Sequence, residues 1–225
     1  MIRQIQITSD NSFTIYQPDL DETYHSKNGA ITESMHVFID KGFNEIIKHK
    51  KTVNIFEVGF GTGLNTILTI IEASAKKIVC NYQAIEAFPL DIALINELKY
   101  ETIIPENFNA AFQNIHSVKW DEEFLITNNF KFKKIHAALE QYEFEQPFDL
   151  IYFDAFAPEK QPELWTEEVF KKIYNSMNEG GILVTYSSKG DVKRNLRSAG
   201  FIVERLDGPP GKRHMVRAKK LRIES

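Results

Sequence analysis

Short apolar runs alternate with amphipathic stretches along most of the chain. After residue 50 the apolar runs cover residues 53–58, 78–85, 135–139, 148–153 and 182–186. Each is short enough for a strand, and several are continuous rather than alternating, as in strands buried on both faces. Between them, residues 64–74, 89–98, 167–177 and 192–198 carry apolar positions at helical spacing. Glu179-Gly180-Gly181 closes the third of these helices and Gly200 stops the fourth, as C-terminal glycines commonly do. Residues 202–206 and 214–218 form a final antiparallel pair, and residues 103–132, without a clear period, are expected to hold an inserted helical piece. Ahead of this alternation, residues 1–30 suggest short strands and turns. Met35, Phe38, Ile39, Phe43, Ile46 and Ile47 then predict a helix over 31–48. The pattern implies an α/β fold with a mostly parallel sheet covered on both faces. Residues 1–50 form a small β/helical extension and residues 51–225 the main domain, in one structural unit.

Ligands of such sheets bind beyond the carboxyl ends of the strands. Three polar features fall there: the loop Glu57-Val-Gly-Phe-Gly-Thr-Gly63, Glu86 and Asp154. Gly59, Gly61 and Gly63 have the spacing G-x-G-x-G. A dinucleotide fingerprint would need its third glycine at position 64, which is leucine. Leu64-Asn65 also excludes the Gly-Lys-Ser/Thr end of a P-loop. A carboxylate at Glu57 can accept from an ammonium such as that of S-adenosylmethionine. Glu86, 23 residues beyond the loop, suits a ribose diol. Asp154, followed by Ala155-Phe156-Ala157-Pro158, would lie near a transferring methyl group.

Charge adds a partner to this picture. The net charge of −4 argues against a generally basic nucleic-acid-binding surface. Residues 189–225 nevertheless carry eleven Lys/Arg against four Asp/Glu, a net of +7, leaving −11 on the other 188 residues. A basic end on an acidic body suggests either a local anionic partner or simply a solvated face. The single cysteine, Cys80, excludes an internal disulfide and a CxxC metal site. His25 and His36 lie 11 residues apart with no third ligand at suitable spacing, so no metal is expected. No stretch approaches the ~20 apolar residues of a membrane helix. The N-terminus lacks a signal-peptide core, and a cytoplasmic location is expected.

The segment Asp154-Ala-Phe-Ala-Pro-Glu-Lys-Gln-Pro-Glu-Leu-Trp165 resembles the DxFAPxKxPxxW motif of the methyltransferase domains of MnmC-type tRNA-modifying proteins, called MnmD when free-standing. Thr185-Tyr-Ser-Ser-Lys-Gly190, Gly208-Pro-Pro-Gly-Lys-Arg-His-Met215 and the entry Tyr24-His25-Ser26 with Asn28-Gly29-Ala30, Glu33 and His36 match the same family. The resemblance spans about residues 13 to 218. It implies a Rossmann-like class I S-adenosylmethionine methyltransferase fold, with a seven-stranded, mostly parallel sheet and an antiparallel last strand. It implies methylation of the 5-aminomethyl group of 2-thiouridine at the tRNA wobble position, in the anticodon region. Asp154 would be catalytic. The cofactor would lie against Glu57, Gly59, Phe60, Gly61, Gly63, Asn65, Glu86, Tyr24 and Glu33. Phe156, Lys160, Trp165, Lys189, Lys212 and Arg213 would meet substrate or tRNA phosphates, with Lys193 and Arg194 as further candidates. Phe156, Trp165 and Tyr186 could stack on a flipped base or belong to the core.

Bifunctional members of the family add a flavin oxidase domain, and a chain ending at Ser225 is expected to resemble the oxidase-free form. One departure is His136-Ala137, where many methyltransferases carry a Gly-Asp pair for adenine; backbone groups or Glu140 would serve instead. Two rivals share the loop and acids: a methyltransferase for a small amine or another RNA site, and an aminopropyltransferase of the spermidine-synthase type. The second should carry an Asp-Xaa-Xaa-Asp arrangement, which Asp154-Ala-Phe-Ala lacks. The sequence leaves the oligomeric state and a non-catalytic binding role open.

Overall fold

The computed structural model describes residues 3–221. Its main sheet has eight strands in the order β10-β11-β9-β8-β4-β5-β7-β6. They are β4 (Thr52–Val58), β5 (Val79–Glu86), β6 (Glu123–Thr127), β7 (Phe130–His136), β8 (Phe148–Phe153), β9 (Met177–Thr185), β10 (Ile202–Asp207) and β11 (His214–Lys219). Strands β9, β8, β4, β5 and β7 run parallel to their neighbours, while β11, β10 and β6 pair antiparallel. Every residue of β8 is buried, which accounts for its unbroken apolar run.

The eighth strand corrects the expected seven. It is β6, on the edge, inside the region taken as helical. Its alternation of exposed and half-buried residues is too shallow for a strand signal. The same region does contain a helix, α5 (Asn109–Ser117), which buries Ala111, Phe112 and Ile115. Strand β7 is longer than the run at 135–139 suggests and ends at His136. Strand β9 takes in Glu179-Gly180-Gly181, with a register shift between Phe148 and Leu150 of its partner.

The helices follow from local chemistry. Gly63, at φ 73°, opens α3 (Leu64–Lys76), and Lys77, at φ 55°, ends it. The Thr166 hydroxyl accepts from the Val169 amide to cap α6 (Glu167–Asn175), with Glu167 and Glu168 in its first turn, where the helix dipole favours acids. The helices α4 (Ile92–Glu97) and α7 (Gly190–Ser198) complete the crossovers.

The N-terminal segment forms a small antiparallel sheet of β1 (Gln4–Ile7), β2 (Phe13–Gln17) and β3 (Glu22–Thr23). A continuous helix follows: α1 (Ala30–Ser34), a π-helical stretch over Met35–Phe43, and α2 (Asn44–Ile46). The π-helix replaces the regular helix expected there. Gly42 lets it lie against Tyr152 and Val184 of the main sheet. Both faces of the sheet are covered, one by a cluster that includes Phe38, Phe43, Leu64 and Tyr82, the other by Phe56, Phe153, Trp165 and Phe170. Among the described residues no helix is long and apolar enough to cross a membrane.

Candidate functional site

The chain leaves β4 toward β5 on one side and later returns to β8 on the other, so strand order reverses between β4 and β8. That switch point is where such sheets open a crevice. The glycine loop closes it from one side. The amides of Gly59 and Phe60 both donate to the Ile85 carbonyl, and the Asp154 amide donates to the Val58 carbonyl. Gly59, at φ 89°, runs so close to β8 that a β-carbon on it would lie 2.7 Å from the Asp154 carbonyl oxygen. Only glycine fits such a backbone approach with a positive φ.

The crevice is a cavity of about 640 Å3, within the ordinary range of small-molecule sites. Gly59, Phe60, Gly61, Asn65, Glu86, Tyr24, Glu33, Asp154, Phe156, Lys160 and Lys212 all line it, as does Tyr186. At the β5 end, Glu86 accepts from the Gly61 amide at 3.0 Å and from the Phe88 amide at 2.9 Å. Each oxygen keeps a second lone pair, so the carboxylate is held in place yet able to accept from a diol. Phe88 stands 71% exposed at this rim, and Ala137, Ala138, Leu139 and Glu140 form the wall beyond it. An apolar slot with one exposed aromatic suits a flat purine. The sequence reading missed Phe88, because an aromatic two residues past a strand end carries no sign of its exposure.

The opposite half is built around Asp154. Asn65 Nδ2 donates to Asp154 Oδ2 at 2.8 Å. Tyr24 and Phe156 meet edge-to-face at 5.0 Å, and the Tyr24 ring covers Gly61. The Tyr186 hydroxyl donates to the Ala155 carbonyl at 2.9 Å, and Lys212 Nζ lies 3.9 Å from the Tyr186 ring centroid. Lys212 also donates to Glu33 at 2.5 Å. Burial pushes the Asp154 carboxyl up to about 7 and Glu33 adds to the rise, while the Asn65 hydrogen bond and the Lys212 charge oppose it. Asp154 therefore changes charge near neutral pH. His25, also on the wall, is held well below its ordinary value, at about 4, by burial, and its Nε2 lies 2.6 Å from the Thr62 hydroxyl. It is neutral and engaged. Among the described residues no three His, Cys, Asp or Glu side chains group as metal ligands.

Glu57, Gly63, Trp165, Lys189 and Arg213 do not line the cavity. Glu57 is 1% exposed, on the face of β4 turned away from the cavity, and its Oε2 accepts from Thr66 at 2.9 Å and Tyr82 at 2.8 Å. Burial raises its carboxyl to about 8, against hydrogen bonds from Tyr82, Asn65 and Thr66, so it is largely protonated at neutral pH. A neutral, enclosed carboxyl has nothing to offer a ligand ammonium. Gly63 also stays outside the cavity and opens α3, with His116 behind it. Trp165 is 3% exposed in the core and donates from Nε1 to the Phe156 carbonyl at 2.8 Å, positioning that loop rather than stacking on a base. Lys189 is exposed but pairs with Glu159. Much of the basic C-terminal segment is similarly engaged: Arg194 with Asp191, and Arg217 and Lys219 with Glu204. Arg213 is exposed, and Arg222 lies outside the described residues.

The buried state of Glu57 has a consequence for stability. Its carboxyl ionises near 4.5 when exposed and near 8 when folded. The stabilisation its protonated form allows is complete below about pH 4.5 and is lost as pH rises toward about 8. Glu57→Gln keeps the acceptor for Thr66 and Tyr82 without an ionisable proton. The wild-type urea midpoint should fall relative to this variant between pH 5 and 8, and parallel midpoints across that range would show that folding does not raise the Glu57 carboxyl above its exposed value.

Comparison with known proteins bears directly on this crevice. A family described as S-adenosyl-L-methionine-dependent methyltransferase matches residues 98–221, which include Asp154 and its following loop. The chain belongs to that family. It is also 32% identical over 218 residues to the tRNA 5-methylaminomethyl-2-thiouridine biosynthesis bifunctional protein MnmC of Burkholderia thailandensis, covering 90% of this chain and 33% of that protein. The chain thus spans about a third of the length of the curated relative it matches. Among solved structures, MNMC2 from Aquifex aeolicus superposes with a TM-score of 0.80 at 26% identity, over 99% of this chain and 73% of that one. Spermidine synthase from Thermotoga maritima superposes at 0.56 with 16% identity, over 99% of this chain and 71% of that one, a likeness of fold alone. The architecture is that of a class I methyltransferase, with a mostly parallel sheet.

Proposed function

We propose that the protein transfers a methyl group from S-adenosylmethionine to the 5-aminomethyl group of 5-aminomethyl-2-thiouridine at the wobble position of tRNA. The observation that carries this reading is the placement of Asp154: a carboxylate held by Asn65 in a cavity walled by Tyr24, Phe156 and Tyr186. The similarity to MnmC over nearly the whole chain supports the choice of acceptor.

The residues present fit the cofactor. Glu86 would take the ribose hydroxyls, Phe88 with Ala137, Leu139 and Glu140 would enclose the adenine, and the backbone of Gly59 and Gly61 would border the methionine portion. Glu33 and Lys212, an acid and a base side by side, could share its ammonium and carboxylate. When bound, S-adenosylmethionine supplies an electrophilic methyl carbon on a sulfonium. The rest is done by the chain. Phe156 and Tyr186 offer faces to a splayed base. Asp154 orients the acceptor nitrogen and receives the proton released as the nitrogen gains its methyl group. A primary amine with a pKa near 10 is mostly charged at pH 7, so it first gives one proton to solvent, and Asp154 takes only the second proton, released once the neutral nitrogen has gained its methyl group.

Phosphate contacts would fall to the C-terminal face rather than to Lys212, which is committed to Glu33. Reversing Arg213 and Lys193 to Glu should weaken tRNA binding and flatten its dependence on salt by roughly one unit of slope per lost contact. Unchanged slopes would make this face merely solvated. The reading as a whole is tested by supplying purified protein with methyl-labelled S-adenosylmethionine and, separately, bulk tRNA lacking the modification, ribosomal RNA and a small-amine pool. Label in tRNA alone supports it, and label only in another pool overturns it.

A further inference from the structure

Asn65 is 2% exposed, and its side chain is oriented by a fixed backbone, whose carbonyl accepts from Thr69 at 2.6 Å in the first turns of α3. One end of the side-chain amide donates to Asp154 Oδ2 at 2.8 Å. The other end, Oδ1, is buried without a partner. The same side-chain amide also donates toward the Glu57 carboxyl, so it stands between the two acids. Glu57 Oε2 is occupied by Thr66 and Tyr82, which leaves Oε1 as the natural carrier of a proton. Glu57 has no path to water, whereas Asp154 opens onto the cavity.

We propose that Asn65 is a positioning residue whose side-chain amide, wedged between Glu57 and Asp154, aims the Asp154 carboxylate at the acceptor and ties the two acids into one titrating unit. This rests on the methyltransferase reading above and deepens it. Two carboxyls that share a small polar site do not ionise independently. The enclosed one keeps the proton, and the one facing the cavity carries the charge. Glu57 thus serves the site from behind, as the second acid that the Asn65 amide reaches while it donates to Asp154. The other groups facing Asp154 are Glu33 from α1, Lys212 from the loop between β10 and β11, and Tyr186 at the end of β9. The paired charges of Glu33 and Lys212 oppose each other, which leaves Asn65 as the uncompensated partner.

The test reads the Asp154 carboxyl itself, by 13C NMR titration with the resonance assigned from Asp154→Asn, in wild type, Asn65→Leu and Glu57→Gln. Asn65→Leu should move the Asp154 midpoint upward by about one unit, since it removes a hydrogen bond to the charged form. Its kcat should fall about fivefold at pH 7 and recover as pH approaches 9, with the S-adenosylmethionine dissociation constant within about threefold of wild type. Glu57→Gln should turn a two-step Asp154 titration into one step. If Asn65→Leu does not fold, Asn65→Ser should give a smaller shift in the same direction. An unmoved Asp154 midpoint in the folded variant, or a single step already in wild type, overturns the proposal. So does a loss of cofactor affinity without a shifted midpoint. The titration needs no acceptor, so it decides the role of Asn65 even if the wild-type protein fails to methylate aminomethyl tRNA.

Discussion

Asp154→Ala is expected to lower kcat by about 10²–10⁴-fold while leaving the S-adenosylmethionine dissociation constant nearly unchanged. The split follows from where the side chain sits. Its carboxylate is held by Asn65 and faces the cavity beside Tyr186, whereas Glu86 and Phe88, which would hold the ribose and adenine, lie at the other end. The Asp154 carboxyl is raised to about 7, so its charged form is lost as pH falls through neutrality. Wild-type kcat should therefore drop on the acid side of pH 7, and this limb should vanish in Asp154→Asn together with most of the rate. Single-turnover kinetics paired with cofactor calorimetry would separate the effects. A variant with near-normal turnover would remove Asp154 from the chemistry, and one that loses cofactor affinity in proportion would make it a binding residue.

Gly59→Ala should raise the cofactor dissociation constant about 10- to 100-fold. Its φ of 89° is costly for a residue with a side chain, by about 1–3 kcal/mol. The new methyl group would also meet the Asp154 carbonyl oxygen at 2.7 Å and its carbon at 3.3 Å. Those are backbone atoms just beyond the fully buried strand β8, so they cannot swing aside, and the loop must shift. Gly61→Ala is the control: its methyl would meet only the Tyr24 ring, at 3.2 Å, and a ring at the cavity wall can give. Its effect should be clearly smaller. Calorimetric titration of both variants checks this, and equal affinities would mean that the approach of the loop to β8 does not shape the site.

How much of this was legible beforehand differs by element. The run Phe148–Phe153 could be read as a doubly buried strand, and the acid that ends it had only one place to go, the mouth of the crevice. Glu86 was fixed by the same logic. The edge strand β6 escaped because a strand with one open side needs few apolar residues. Glu57 was misplaced because a sequence gives alternation along a strand without saying which face the cavity occupies. Val58, its neighbour, lines the cavity instead. Lys212 and Lys189 were assigned to phosphates by their charge and their place in family motifs, neither of which reveals a partner: each has found an acid, Glu33 and Glu159, elsewhere in the chain. Trp165 obeyed the ordinary tendency of large aromatics toward the core.

The most direct test of the central claim is the identity of the product nucleoside. Wild-type protein, S-adenosylmethionine and tRNA carrying 5-aminomethyl-2-thiouridine would be incubated together, and the digested nucleosides resolved by mass spectrometry. A single methyl group on the aminomethyl nitrogen of the wobble nucleoside, absent with Asp154→Ala, is the predicted result. Unchanged 5-aminomethyl-2-thiouridine, or a methyl group on any other position, would contradict it.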